Sequence, residues 1–141
     1  MFNVIVVGAD DSLTARRALE AASELAAMSA GTLHIVSAYD KVTVSQSNLP
    51  AEFAGMATSG GAEALLQSLS FVAKGKGVEP VLHAVMGDPV EAIIATADEV
   101  GADLVVVGNK GMKGARRVLG SVPNSVAHGA NCSVAIIDTR E

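Results

Sequence analysis

Five short segments of this chain are rich in β-branched and other apolar residues and mostly lack alternation between apolar and polar positions. That pattern is typical of strands covered on both faces, as in a parallel sheet. The predicted strands are residues 3–7, 32–38, 79–85, 103–107 and 133–137.

Apolar residues at helical spacing separate these strands and predict four helices. The inward-facing positions are Ala15, Ala18, Leu19, Ala22, Leu25 and Ala26 in the first; Ala62, Leu65, Leu66, Leu69, Val72 and Ala73 in the second; Val90, Ile93, Ile94 and Ala97 in the third; and Val122 and Val126 in the fourth, over about 121–128. The third has a clear start, with Asp88 as N-cap, Pro89 in the first turn and Glu91 at N3. Ser12 is a candidate N-cap for the first.

The order of strands and helices predicts an α/β fold with helices on both faces of a parallel sheet, because crossovers between parallel strands are right-handed. A chain of 141 residues fits one domain, 1–141, and no segment has the composition of a linker. Residues 40–60 form a long irregular stretch, which in a compact domain is usually a lid, a binding loop or disordered.

Composition narrows the partners. The chain has only three Phe, one Tyr and no Trp, and its net charge is −5. Both features disfavour nucleic acid, which binds to stacked aromatic rings and basic surfaces. The apolar runs are too short to span a membrane. One cysteine, Cys132, and no signal-peptide pattern after Met1 predict a cytoplasmic protein.

Two strand ends carry residues suited to a ligand: GADDS at 8–12 and GNKG at 108–111. In an open parallel sheet, ligands bind beyond the carboxyl ends of the strands. Glycines there would supply left-handed turns or let backbone amides approach an anion. An alternative role for Gly8 is simply to ease a tight turn from the strand into the helix. Asp10 would bond a ribose hydroxyl or help to hold a metal ion.

A basic run follows the fourth strand and contains no acid: Lys110, Lys113, Arg116 and Arg117. The run contributes a charge of +4. Because the net charge of the whole chain is −5, the remaining residues together carry −9 (−5 − 4). The run would neutralise a polyphosphate or form a solvated loop. Gly120 and Ser121 precede the fourth helix, whose free N–H groups and dipole suit a phosphate. Ser121 would also serve as an N-cap.

The histidines and the cysteine lack the spacing of a zinc site. We interpret His34 and His83, which lie within predicted strands, as structural residues.

The motifs VVGADDS, GDPVEAI, ADLVVVGNKG and GSVPNSVAHGANCSVAII resemble the universal stress proteins over residues 4–137. The ATP-binding branch of that family has two spaced glycines and then a Gly-Ser/Thr pair. Here eight residues separate Gly111 from Gly120, one fewer than in the family pattern, and Gly114 would absorb the difference.

The resemblance implies a flavodoxin-like sheet with strand order 3-2-1-4-5 and adenine bound to the backbone near Ala38. It further implies adenosine contacts from Gly8, Ala9 and Asp10; ribose and first-phosphate contacts from Val107, Gly108 and Asn109; and contacts to the remaining phosphates from Gly111, Gly120, Ser121 and Val122. It also implies a homodimer formed through residues 134–137, an apolar edge strand that favours cover.

The leading functional hypothesis is a regulatory, stress-response protein that binds ATP, AMP or a cyclic nucleotide, with Mg²⁺ beside the phosphates left open. The second is an interaction module with an empty pocket that acts through its dimer surface. The third is an adenylyl- or phosphoryl-transferring enzyme. No general base stands near the predicted site, and no Ser/His/Asp order suggests a hydrolase, so we expect a binding protein without a catalytic residue.

Overall fold

The five apolar segments form strands, and the described part of the chain contains four helices between them. The computed structural model describes residues 1–10, 12–40, 59–109 and 121–139. The strands are β1 (Val4–Gly8), β2 (Thr32–Tyr39), β3 (Val81–Met86), β4 (Leu104–Gly108) and β5 (Ser133–Ile137), and the helices are α1 (Leu13–Ser29), α2 (Ser59–Gly75), α3 (Pro89–Val100) and α4 (Ser121–Gly129). Most of the predicted long loop, residues 41–58, lies outside the described residues.

All four strand pairings in the sheet are parallel, and the order is β3-β2-β1-β4-β5. The predicted flavodoxin-like α/β fold and its strand order are therefore confirmed. β1 lies at the centre, while β3 and β5 are the edges. Since β1 and β4 are neighbours, the two strand ends singled out in the sequence lie side by side.

The helices form two layers, one on each face of the sheet. α1 and α2 cover the face that carries Ile5, Val7 and Leu33, whereas α3 and α4 cover the face that carries Val6 and Val36. Side chains of a strand alternate between faces, so each strand contributes to both cores. This explains why the strands have continuous apolar runs.

Helix caps stand where the sequence predicts them. Ser12 has an extended backbone, and its Oγ accepts the Ala15 N–H (3.1 Å). Asp88 accepts the N–H groups of Val90 (3.0 Å) and Glu91 (3.1 Å). Both caps lie at the carboxyl end of the sheet, so they fix the helix starts that surround the site.

The predicted start of β3 at residue 79 is two residues early. Proline has no N–H to donate to a strand ladder, and the pairing with β2 begins at Val81, directly after Pro80. At the other end, Gly87 N–H donates to the Tyr39 carbonyl (2.9 Å) and continues the contact between β2 and β3 beyond the strand.

At the amino end of the sheet, a carboxylate joins two neighbouring strands by hydrogen bonds. Asp103, just before β4, accepts the N–H groups of Asn3 (2.8 Å) and Val4 (3.1 Å), and it thereby joins the start of β1 to β4. The hydrogen bond from Asn3 is the main cause that lowers the pKa of this carboxyl group. In the described residues, no helix combines the length and the apolar character needed to cross a membrane.

Candidate functional site

A cleft of about 160 Å³ opens at the carboxyl ends of β1, β2 and β4. Its walls come from these strand ends and from the first turns of α1, α3 and α4. The lining residues are Gly8, Ala9, Asp10, Ser12, Thr14, Ala15, Val36, Ala38, Pro89, Ile93, Val107, Gly108, Val122 and Pro123. The cleft therefore lies where crossovers to opposite faces of the sheet diverge, the usual ligand position in such folds.

The β1 wall is held by one backbone hydrogen bond to β2 and by two side-chain hydrogen bonds between near neighbours in the sequence. Ala9 N–H donates to the Val36 carbonyl (2.8 Å), which carries the strand pairing one residue past β1. The Asp10 Oδ1 accepts the Ser12 N–H (2.8 Å), and Ser12 in turn caps α1. These bonds set the turn from β1 into α1 with Asp10 exposed at the rim of the cleft.

The two glycines of the cleft allow close packing of helices against the sheet. Neither Gly8 nor Gly108 has a left-handed backbone, so the predicted left-handed turns at these positions are wrong. A Cβ at Gly8 would lie 2.4 Å from Ile93 Cδ1, and one at Gly108 would lie 2.7 Å from Thr14 Cγ2 and 3.2 Å from the Thr14 carbonyl oxygen. The missing side chains let α3 and α1 approach the sheet from opposite faces.

Asn109 ends the β4 wall and is 3% exposed. Its Oδ1 accepts both the N–H (3.0 Å) and the hydroxyl (2.7 Å) of Thr139, and its amide donates to Asp138 (3.0 Å). Arg17 also donates to the Thr139 carbonyl (2.9 Å). The Asn109 side chain therefore ties the end of β4 to the segment after β5, and a ligand contact from this residue would use its backbone.

The third wall is the first turn of α4, where Val122 and Pro123 line the cleft. The first N–H groups of a helix have no partner within it, and Pro123 has no N–H. The N–H groups of Ser121 and Val122 are thus the donors that this turn offers. The first turns of α1, α3 and α4 all line the cleft, so three positive dipole ends favour an anion there.

The structure brings most of the predicted site residues to this one cleft. Gly8, Ala9, Asp10, Ala38, Val107, Gly108 and Val122 line it. Asn109 follows directly, and Ser121 begins α4. Gly111, Gly120 and the basic run of Lys110, Lys113, Arg116 and Arg117 lie outside the described residues.

Sequence reasoning did not assign some of the lining residues to the site: Ser12, Thr14, Ala15, Val36, Pro89, Ile93 and Pro123. Two signals could have found them. Val36 is two residues before Ala38 and so shares its face of β2. The others lie on helices that begin at the carboxyl end of the sheet, and the start of such a helix necessarily borders the site.

The described lining is mostly apolar, and Asp10 is its single ionisable residue. In the ranges that the structure describes, no three His, Cys, Asp or Glu side chains are grouped as metal ligands. Apolar walls, one carboxylate and convergent backbone N–H groups suit a flat, partly apolar ligand with an anionic end. The arrangement can bind and orient such a ligand.

Comparison with known proteins gives a consistent result. A model of the universal stress protein family matches residues 1–138. A universal stress protein of Mycobacterium tuberculosis is 34% identical over 143 residues, covering 98% of this chain and 97% of its own. The Bacillus subtilis universal stress protein YxiE is 30% identical over 148 residues, covering 97% and 99%.

A solved structure of a universal stress protein in complex with cAMP is also similar to this chain. It has a TM-score of 0.80 and 35% sequence identity, and the match covers 99% of each chain.

Proposed function

The chain belongs to the universal stress protein family, and from that membership we propose that it is a regulatory protein that binds an adenine nucleotide in the cleft between β1 and β4. The observation that carries this proposal is the cleft itself. Residues from four separate stretches of the chain converge there, namely Gly8 to Asp10, Ala38, Val107 with Gly108, and Val122. The similar protein solved with cAMP supports the choice of ligand.

The nucleotide lies with its base against β2 and its phosphate towards α4. Val36, Ala38 and Val107 give the base an apolar surface, and the backbone near Ala38 bonds its edge. Asp10, exposed at the rim, accepts a ribose hydroxyl. The N–H groups of the first turn of α4, which lack partners within the helix, meet the phosphate.

The number of phosphates depends on residues beyond the described cleft. The shortened spacing between Gly111 and Gly120 favours a ligand with fewer phosphates, such as AMP or cAMP. The charge of Lys110 and Lys113 favours ATP, with Mg²⁺ as its companion. Replacing both lysines by glutamine separates these cases, because it weakens ATP more than cAMP if the lysines face a polyphosphate, and the difference shrinks at high salt.

We propose that the protein acts as a homodimer in the cytoplasm. β5 is an edge strand whose residues Val134 to Ile137 are only partly buried, and pairing with a second copy would satisfy its outer backbone groups. A single cysteine suits a reducing compartment. Sedimentation of the protein at micromolar concentration tests the assembly, and a monomer there would rule it out.

A binding role is favoured over catalysis because Asp10 is the single ionisable group among the described lining residues. The runner-up is a nucleotide-free interaction module that acts through the β5 surface. The partly exposed apolar side chains of that edge favour it.

Calorimetry with cAMP, AMP and ATP, each with and without Mg²⁺, tests the proposed site. Ala38→Phe should place a phenyl ring in the cleft and weaken every nucleotide at least about tenfold, ~1.4 kcal/mol. Ala64→Phe is the matched control, because Ala64 is exposed on α2 on the other side of the sheet. Circular dichroism checks that both variants fold.

The outcomes separate the candidates. Binding to the parent and to Ala64→Phe, but not to Ala38→Phe, supports the cleft. Equal binding to all three excludes it. No binding to the parent favours the interaction module.

A further inference from the structure

Two histidines on neighbouring strands form a hydrogen-bonded pair. His34 Nδ1 on β2 lies 2.9 Å from His83 Nε2 on β3, and the ring centroids are 5.1 Å apart. The distance between the ring centroids exceeds the distance between the two nitrogens by 2.2 Å (5.1 − 2.9). This difference is close to the sum of the two ring radii. Both nitrogens therefore lie near the line that joins the ring centres, and an N–H of one ring points at the lone pair of the other.

This geometry suits a shared proton better than a metal ion. A bound metal needs both lone pairs to converge on a third point, whereas here they face each other. In addition, no third His, Cys, Asp or Glu joins the pair to form a group of metal ligands among the described residues. The pair therefore holds one hydrogen between its facing nitrogens.

The strand neighbours of the pair are apolar. Val6 on β1 and Val81 on β3 are both in register with His34. Burial, and secondly the charge of His83, lower the pKa of His34, and no carboxylate contributes.

The helix packed over this face of β2 and β3 adds no counter-charge. The charged residues of α3 are Glu91, Asp98 and Glu99, and all three are exposed. Asp98 accepts a hydrogen bond from Asn131 (3.1 Å). Among the described residues, therefore, no carboxylate contributes to the lowered pKa of His34, and the two half-buried rings are stabilised as cations only by each other and by solvent.

Two protons affect such a pair differently. The first adds to an outward-facing nitrogen and leaves an imidazolium that still bonds to a neutral imidazole. The second must add to a facing nitrogen, which removes the acceptor and sets two cations against each other. Double protonation therefore breaks the contact between His34 and His83.

Breaking this contact would affect both an edge strand and the cleft. β3 pairs with β2 alone among the described strands. His83 is in register with Val36, and Val36 and Ala38 line the cleft on the same face of β2 as His34. A shift of β3 from β2 at this point moves the cleft wall.

We propose that the His34–His83 pair is an acid-sensitive latch between β2 and the edge strand β3, and that its opening lowers the affinity of the cleft for nucleotide. The effect on nucleotide affinity rests on the proposed function, whereas the acid-sensitive contact between His34 and His83 does not. The ligand of the latch is the proton, taken up in mild acid.

The direction of the pH dependence follows from the lowered pKa of His34. Because the unfolded chain takes up this proton more readily, the stabilisation is complete above the ordinary value of 6.5. It is lost as the pH falls below 6.5 and through the lower value of the folded state.

NMR titration of the three histidine rings tests the latch in nucleotide-free protein. His34 should titrate below 6.5 in the parent. Its midpoint should rise in His83→Gln, whose amide occupies the place of Nε2 without taking a proton, and should not move in the control His128→Gln. A His34 midpoint at or above 6.5, or one that His83→Gln leaves unchanged, would overturn the proposal.

Calorimetry with cAMP, whose phosphodiester keeps one charge over this range, tests the effect on the cleft. Between neutral pH and about pH 5, the parent should lose about tenfold or more in affinity, and His34→Asn/His83→Gln distinctly less. Equal losses would overturn the coupling.

If cAMP fails to bind at neutral pH, that result counts against the proposed function, and thermal unfolding then decides the latch. The melting temperature of the parent should fall more over the same pH interval than that of the double variant, and equal falls would overturn the latch.

Discussion

The carboxyl ends of β1 and β4 lie side by side, yet they are built differently. After β1, Asp10 and Ser12 bond within two or three residues along the chain and remain at the cleft. After β4, Asn109 is buried and bonds to Asp138 and Thr139, which are 29 and 30 residues away. The side-chain bonds of the first wall are local and leave it facing the cleft, whereas those of the second depend on the chain segment after β5.

The glycines show the same contrast. A Cβ at Gly8 would meet the flexible tip of Ile93, which can move aside. One at Gly108 would meet the short side chain and the backbone oxygen of Thr14, which are held by α1. The β4 end therefore has less room for an added side chain, and we expect substitutions there to lower stability more.

The largest effect is expected at Asn109. Asn109→Ala removes three hydrogen bonds and leaves the buried N–H and hydroxyl of Thr139 without their acceptor, so it should lower the free energy of unfolding by about 2–4 kcal/mol. Urea unfolding measures this. The control is Asn131→Ala, because among the described residues that exposed amide donates only to Asp98, and the loss in this variant should stay below about 1 kcal/mol. Equal losses would mean that the β4 end is no more firmly anchored than the surface.

Replacing each of the two glycines by alanine should lower the free energy of unfolding by different amounts. Gly108→Ala forces α1 from the sheet and should lower the free energy of unfolding by about 1–3 kcal/mol. Gly8→Ala displaces only the tip of Ile93 and should cost less, while the displaced atoms narrow the cleft and weaken nucleotide binding. Urea unfolding and calorimetry of both variants give the comparison, which fails if Gly8→Ala is the more destabilising.

The smallest effect on stability is expected from a substitution of Asp103, which joins β1 to β4 at the opposite end of the same two strands. Its lowered pKa means that its stabilisation is present above the ordinary value of 3.8 and is lost as the pH falls through the lower value of the folded state. Asp103→Asn should therefore reduce the melting temperature at neutral pH, by less than either β4 substitution, and the difference should vanish in strong acid.

Glu99→Gln, at an exposed carboxylate on α3, is the control for this pH dependence. A difference between Asp103→Asn and the parent that persists unchanged in strong acid would show that charge is not the cause.

The fold was predictable because its signals are local. Continuous apolar runs marked all five strands, and Ser12 and Asp88 marked two helix starts. The start of β3 was misplaced because the predicted strand ran through Pro80, whose missing N–H already marks a break in the sequence. The strand order itself came from family resemblance, since periodicity alone does not specify which strands are neighbours.

The position of the cleft was predictable, and the contacts that form its walls were less so. The motifs located Gly8, Asp10 and Gly108, but the glycines pack against Ile93 and Thr14, residues that only the tertiary structure brings near. The buried role of Asn109 depends on Thr139, at the far end of the chain. Likewise, two histidines 49 residues apart became a pair only through the register of β2 and β3.

Titration of cAMP, and separately of ATP, into ¹⁵N-labelled protein tests the central claim most directly. If a nucleotide occupies the cleft, the largest saturable amide shifts should fall at Gly8, Ala9, Ala38, Gly108 and Val122, with little change on the exposed face of α2. Largest shifts elsewhere, or no saturable shift with either nucleotide at millimolar concentration, would contradict the proposal.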